Sequence, residues 1–468
     1  MLRSDIIAAI STPPGKGGVA VIRVSGAGAI ALAERVFAPL SGKAISDYPP
    51  RTQIYGYIIS SGRRIDDGML TYFKEGASYT GEETVEISCH GGILITELVL
   101  SAVLSAGARV AEAGEFTRRA FLSGRLSLSD AEAIGLLLEA RSEEQIALAG
   151  KDSRSRLDGR IGEITGEITE LLGSVYARID YPDEDLGEFT DTETLEALTD
   201  IRESLVRLID TYKTGRAINE GISAVICGKP NVGKSTLYNL LAGEDAAIVT
   251  DVAGTTRDIL ERTVSLGRVT LRITDTAGVR SGDEVGTVEK IGIGKSKSKI
   301  ASAELILAVF DLSRKLDESD RELIEELSSA DGYKVCVLNK CDLVNKESSA
   351  FDVSLLPDGV FGETVYISAD KDNSGAIETL SELVNRLFTD EKISCGQDAI
   401  VSSARQHASL LRARSFIDTA MDAYRLGLPA DAASSDIEMA IGAISELDGR
   451  AVSDNIVSDI FAKFCVGK

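Results

Sequence analysis

The sequence predicts a multidomain chain in which an α+β domain comes first, an α-helical domain follows, and an α/β phosphate-loop domain of the Ras-like class is inserted into the helical one. Three observations predict it. Strand-length apolar runs separated by glycine-rich turns fill residues 1–122. Stretches with helical periodicity lie on both sides of residues 217–383. Inside that interval the octapeptide GKPNVGKS, residues 228–235, follows an apolar run and precedes a helix-compatible one, which is the strand–loop–helix setting a phosphate loop requires.

Within the first domain, Val19–Val24, Gln53–Ile59, Val85–Ser88 and Ala108–Ala111 read as strands, because apolar and polar residues alternate there between turn formers. From Ser127 the period changes. Ile161, Ile164, Ile168, Leu171, Val175 and Ile179 recur at helical spacing and predict a helix with one apolar seam. Near the other end, Ser435 and Glu438 match a capping box ahead of the stripe Ile437, Ala440, Ile441, Ile444 and Leu447. These changes set boundaries at 1–122 for the first domain, 123–216 and 384–468 for the two parts of the helical domain, and 217–383 for the insertion.

The insertion carries the most legible chemistry. Ile222–Cys227 predicts the strand and Thr236–Ala242 the helix. Between them Asn231, Val232, Gly233, Lys234, Ser235 and Thr236 form a phosphate cradle. Glycine lets backbone N–H groups turn toward the β- and γ-phosphates, Lys234 adds a point charge, and the Ser235 hydroxyl is a ligand for Mg²⁺. Asn339, Lys340 and Asp342, in the run KVCVLNKCD, select the base. A carboxylate at Asp342 accepts from both N1–H and the 2-amino group of guanine, whereas adenine would leave it unpaired. GTP and GDP are therefore the expected nucleotides. Ser368 and Ala369, after Val365–Ile367, read as the loop that touches the base.

Two further segments face the reacting end. Asp275, Thr276, Ala277 and Gly278 close the alternating strand Val269, Leu271, Ile273, which puts Asp275 near the magnesium and the Gly278 N–H near the γ-phosphate. Thr250, Asp251, Val252, Ala253, Gly254, Thr255 and Thr256 supply a second magnesium ligand, Thr256, and a row of carbonyls able to wrap a monovalent cation. Val279 stands directly after DTAG, where many GTPases carry a water-orienting glutamine, and its side chain neither donates nor accepts. Something else must hold the attacking water. Potassium beside the phosphate loop would neutralise charge as an arginine finger does, an effect worth about 10³–10⁵ in rate. Asn231 fits two roles: an oxygen ligand to that ion, or a brace for the loop.

Four blocks outside the insertion are more specific still: TPPGKGGVAVIRVSG at 12–26, SYTGEETVEISCHGG at 78–92, GEFTRRAFLSGRLSLSDAEAI at 114–134, and the terminal FCVGK at 464–468. On these blocks the chain resembles the MnmE (TrmE) family of tRNA modification GTPases from end to end. The resemblance implies a potassium-dependent GTPase that dimerises through its N-terminal domain. It also implies work with a flavin-dependent partner, MnmG, to add a carboxymethylaminomethyl or aminomethyl group at carbon 5 of the wobble uridine. Carried over, potassium falls to Asn231, Thr250, Val252 and Thr255, and magnesium to Ser235 and Thr256. The water-orienting glutamate falls on Glu289. The stretch SGDEVGTV before it is slightly longer than the resemblance implies, so Asp283 and Glu284 are the other carboxylates to weigh, and Glu289 is favoured because it opens the EKIGI run that aligns without gaps.

The resemblance further implies that the first domain is folate-binding-like and holds 5-formyltetrahydrofolate near the dimer interface, through Arg23, Glu86, Arg125 and Lys468. Arg125 stands where lysine is usual, keeping charge but not geometry. Cys465 in FCVGK is either a catalytic thiol or buried packing, and His90 in CHGG either touches ligand or is a turn residue bonded to backbone.

Composition bounds these expectations. The chain has 468 residues, 44% apolar and 26% charged, ordinary for a soluble globular protein of about three domains. The start MLRSDIIAAISTPPG lacks the long apolar core of a signal peptide, and no apolar run reaches the ~18 residues that span a bilayer, so the expectation is cytoplasmic with no membrane contact. Six cysteines without CxxC spacing, and only His90 and His407, argue for reduced thiols and against a zinc site. A net charge of −23 opposes phosphate contacts with tRNA, leaving Arg118, Arg119 and Arg125, or Arg405, Arg412 and Arg414, as contact patches or as solvated helix faces. The alternative class is a GTP-gated ribosome or RNA assembly factor without modification chemistry. Such a factor should carry an RNA-binding module, and no GxxG-containing KH pattern is present at the C-terminus.

Overall fold

The computed structural model describes residues 5–181, 190–243, 261–275, 299–344, 351–447, 461, 462, 464 and 467, the side chains of Glu261, Arg262, Asp275 and Asn373 excepted. The chain divides into two compact units, residues 1–139 with 435–468, and residues 140–434.

The first unit is built on a seven-stranded sheet. Its strands are β1 (Ile7–Ile10), β2 (Val19–Ser25), β3 (Phe37–Pro39), β4 (Ile54–Ser60), β5 (Arg63–Phe73), β6 (Thr84–His90) and β7 (Arg109–Val110), in the order β3-β4-β5-β6-β2-β1-β7. Neighbours are antiparallel except β1 and β7. Alternation in β2, β5 and β6 sends Ile22, Val24, Leu70, Tyr72, Val85 and Ile87 into one core, where Val99 and Val103 of the helix Ile93–Ser105 cover them. The run Ala108–Ala111 forms only the two-residue β7. Strand β5 had no counterpart among the expected strands, because its first half, RRIDDG, is polar and partly exposed.

Arg119 corrects one expectation. It is neither a solvated residue nor part of a basic patch: its side chain is 5% exposed and bonds Asp5 at 2.8 Å, Glu82 at 3.1 Å and Glu115 at 3.1 Å. Arg109 completes the cluster through Asp5 and Glu115. Burial opposes charge on Glu115, yet the Arg109 guanidinium and the Glu112 amide hold its carboxyl down at about 2.

In the second unit the helices Lys151–Asp180, Asp191–Asp210 and Ala404–Arg425 pack together. Ile161, Ile164, Ile168, Leu171 and Val175 form the buried seam as expected, while Ile179 lies at its exposed fringe. Residues between these helices form a six-stranded sheet: β8 (Ile222–Gly228), β9 (Glu261–Leu266), β10 (Val269–Asp275), β11 (Leu305–Asp311), β12 (Tyr333–Asn339) and β13 (Glu363–Tyr366). The order is β13-β12-β11-β8-β10-β9, parallel except for the edge strand β9. Central β11 is buried at all seven positions, as a parallel strand covered on both faces must be. From β8 the chain order runs outward in both directions, through β11 on one side and β10 on the other, so β8 ends in the crevice where open parallel sheets bind ligands.

The helix Ala430–Ser445 begins five residues before the expected capping box. Ser435 and Glu438 are exposed positions in its interior. Pro429 supplies the real start, its carbonyl accepting from the Ala432 N–H at 3.0 Å. Among the described residues no helix is long and apolar enough to cross a membrane.

Candidate nucleotide-binding site

Gly228 ends β8 with φ +148°, and a Cβ there would lie 2.4 Å from the Val309 carbonyl oxygen, so only glycine lets the chain leave the sheet at this point. Asn231 follows with φ 67° and Gly233 with φ +100°. Asparagine tolerates the left-handed region better than most residues, so the backbone alone accounts for its type at 231. Val232 between them is 1% exposed and pins the loop to the core. Lys234 opens the helix Lys234–Ala242, and Ser235 and Thr236 are exposed on its first turn.

The loop's carbonyls are tied outward one by one. Lys234 Nζ donates to the Lys229 carbonyl at 2.7 Å, Lys340 Nζ to the Asn231 carbonyl at 2.9 Å, and Asn339 Nδ2 to the Val232 carbonyl at 2.9 Å. With the carbonyls so engaged, the amide edge at a helix N-terminus is left for anions.

The base-recognition residues are assembled by the same bonds. Asn339, 3% exposed at the end of β12, accepts from the Ala369 N–H at 3.1 Å while its amide holds Val232. Asp342 accepts from Ser368 Oγ at 2.6 Å and pairs with Lys371 at 3.1 Å, and both hold its carboxyl below the usual range. Lys340, with φ 66°, also pairs with Asp311 at 2.7 Å. Burial would raise the Asp311 carboxyl, but Lys340 and Ser313 bring it below its ordinary value. Asp311 was missed in the sequence, although a carboxylate ending the wholly apolar run LILAVF is a readable feature. The structure thus brings together Asn231, Val232, Gly233, Lys234, Asn339, Lys340, Asp342, Ser368 and Ala369.

Other expected residues fall elsewhere. Thr250, Asp251, Val252, Ala253, Gly254, Thr255, Thr256, Thr276, Ala277, Gly278, Val279, Asp283, Glu284 and Glu289 lie outside the described residues, as do Cys465 and Lys468, and Asp275 is described in its backbone only. In the first unit, Arg23 and Glu86 are cross-strand partners in β2 and β6 and pair at 2.9 Å, with the guanidinium over the rings of Tyr79 and Phe116. Arg125 donates to the Gly76 carbonyl at 2.9 Å. His90 is not a turn residue. It ends β6, and its backbone N–H and ring Nδ1 both meet the Asp66 carboxylate, at 2.9 and 2.8 Å.

Two family models match parts of the chain. The family model described as "GTP-binding protein TrmE N-terminus" matches residues 6–125, and "MnmE helical domain" matches residues 128–465. A protein of Clostridioides difficile named tRNA modification GTPase MnmE is 38% identical over 468 residues, all of both chains. One of the same name from Carboxydothermus hydrogenoformans is 36% identical, again over all of both chains. Among solved structures, an Era protein of Aquifex aeolicus bound to GDP and AlF4⁻ is 22% identical, covers 42% of this chain and 66% of its own, and has a TM-score of 0.27. Two domain models that together run nearly the length of the chain, and relatives matched over their whole length, have one consequence: the chain belongs to the MnmE family, whose curated members are named tRNA modification GTPases.

Proposed function

We propose that this chain is a potassium-dependent GTP hydrolase acting in tRNA modification. As a homodimer, with a flavin-dependent MnmG-type partner, it adds a carboxymethylaminomethyl or aminomethyl group at C5 of the wobble uridine, and hydrolysis drives association of the GTPase domains. The observation that carries the nucleotide reading is the single hydrogen-bonded assembly of the phosphate loop with Asn339, Lys340 and Asp342. It presents a cradle for phosphates and, beside it, a carboxylate for the two guanine donors.

Mg²⁺ takes hard oxygen ligands and commonly keeps only one or two from protein, the rest coming from nucleotide and water. Ser235 Oγ, exposed on the first turn behind the loop, suits that role, with Thr256 as its partner. No group of three or more His, Cys, Asp or Glu side chains able to hold a metal is found among the described residues. Asn231, Thr250, Val252 and Thr255 would hold K⁺, and Glu289 would orient the water. In the N-terminal domain Arg23, Glu86, Arg125 and Lys468 would hold 5-formyltetrahydrofolate, a reading supported by the Arg23–Glu86 pair beside two aromatic rings. A tRNA substrate supports a cytoplasmic location.

The test is GTP turnover at constant ionic strength with Na⁺ replaced by K⁺. Turnover should rise steeply in K⁺, and Asn231→Gly, which removes the side-chain oxygen yet suits the φ of 67° at that position, should flatten the response while leaving GDP binding mostly intact. Equal turnover in the two salts overturns the potassium assignment.

A further inference from the structure

The phosphate loop is held on a second side by charges that the nucleotide reading does not use. Lys229, directly after Gly228, has a side chain only 17% exposed, and its ammonium reaches the Asp317 carboxylate and lies 3.5 Å from Asp320. These two acids are also held by bonds that do not involve Lys229. Asp317 caps the helix Glu318–Ser328, accepting from the N–H groups of Ser319 and Asp320, while the Asp320 carboxylate accepts from the Asp317 N–H at 3.1 Å. Arg314 bridges both carboxylates at 3.2 Å each. Asp320 is 2% exposed. The cluster is therefore a rigid, half-buried socket at the start of a helix, and Lys229 plugs into it.

What makes this functional is the other end of residue 229. Its carbonyl accepts the Lys234 ammonium at 2.7 Å, and Lys234 is the point charge of the phosphate loop. We infer that Lys229 is a positioning residue for GTP binding: by locking into the Asp317–Asp320–Arg314 socket it fixes the carbonyl that aims Lys234 at the phosphates. This rests on the nucleotide reading above. The chain on either side of Lys229 is constrained as well, by Gly228 against Val309 and by the fixed φ of Pro230. Displacement of its carbonyl therefore moves the hydrogen bond of Lys234 directly. Since Lys234 touches phosphates in both ground and transition states, loosening it should weaken nucleotide binding more than it slows the chemical step.

The experiment is release of a fluorescent GDP from the full chain, with KM and kcat for GTP measured in parallel. Lys229→Ala should speed release by about threefold to fivefold, the upper part of what one such ion pair is worth, and raise KM alike with kcat changed by less than about twofold. Lys229→Arg, which keeps the pair, should restore wild-type release. Asp317→Asn keeps a good helix cap but removes the charge, so it should reproduce the Lys229→Ala effect, and the double variant should be no worse than either single one. Asp317 is half exposed, so this variant carries the test if Lys229→Ala fails to fold. Wild-type release in both single variants, or effects that add in the double one, overturns the inference. A wild-type chain that binds no GDP would instead overturn the nucleotide reading on which it rests.

Discussion

Gly233→Ala is the most demanding perturbation of the nucleotide site. The glycine sits at φ +100°, and a Cβ built on it would lie 2.1 Å from Asn339 Nδ2. An alanine forced into the left-handed region costs about 1–2 kcal/mol. Asn339 cannot swing clear cheaply, because the residue is 3% exposed and both ends of its amide are bonded, to Val232 and to Ala369. Losing two such bonds adds about 2 kcal/mol. The sum of about 3–4 kcal/mol divides between folding and binding, and because these bonds join the phosphate loop to the base loop, much of it should fall on affinity, weakening GDP by about 10²-fold. Equilibrium titration with a fluorescent GDP, alongside urea unfolding of the same sample, measures both shares. A dissociation constant within about threefold of wild type together with an unchanged urea midpoint would refute the argument that Gly233 and Asn339 form one joint.

Other outcomes follow from the same chemistry. If Glu289 orients the water as proposed, Glu289→Ala should lower kcat strongly with little change in nucleotide affinity, since such a contact matters chiefly in the transition state; loss of turnover in Glu284→Ala with Glu289→Ala unaffected would move the role to Glu284. The chain has two histidines, so its imidazole NMR titration holds two curves. His90 should titrate above its ordinary 6.5, raised by the Asp66 hydrogen bond, and His407 below it, lowered by burial and by the Arg414 charge. The His90–Asp66 pair should thus support folding below about pH 6.5 and lose that contribution as pH rises through the higher folded value, whereas the His407 contribution is complete above pH 6.5 and is lost as pH falls through its lower value. Two coincident curves at 6.5 would contradict both contacts.

The inserted domain was legible because its chemistry is local in sequence. A phosphate loop needs glycines at fixed spacing, and a guanine site needs an asparagine and an aspartate at the end of an apolar strand, so Gly233, Asn339 and Asp342 announce themselves. What the sequence hid is pairing at long range. Arg119 looked like one of three basic residues, yet its partners Asp5 and Glu82 lie 114 and 37 positions away, and only the meeting of the segment leading into β1, the loop before β6 and the helix Glu115–Leu122 makes it a buried ion. Lys229 was hidden in the same way, as its socket is 88 residues distant. Ser435 and Glu438 misled for the opposite reason: a Ser-x-x-Glu spacing is equally at home on the exposed face of a continuing helix, and Pro429 is the stronger start.

GTP turnover at this site is proposed to serve modification of tRNA. Nucleoside analysis of tRNA from cells lacking this chain, complemented with the wild type or with Lys234→Ala, tests it most directly. The C5-modified wobble uridine should disappear without the chain, return with the wild type, and stay absent with Lys234→Ala. Wobble uridine that remains fully modified in its absence, or is restored equally by Lys234→Ala, would contradict it.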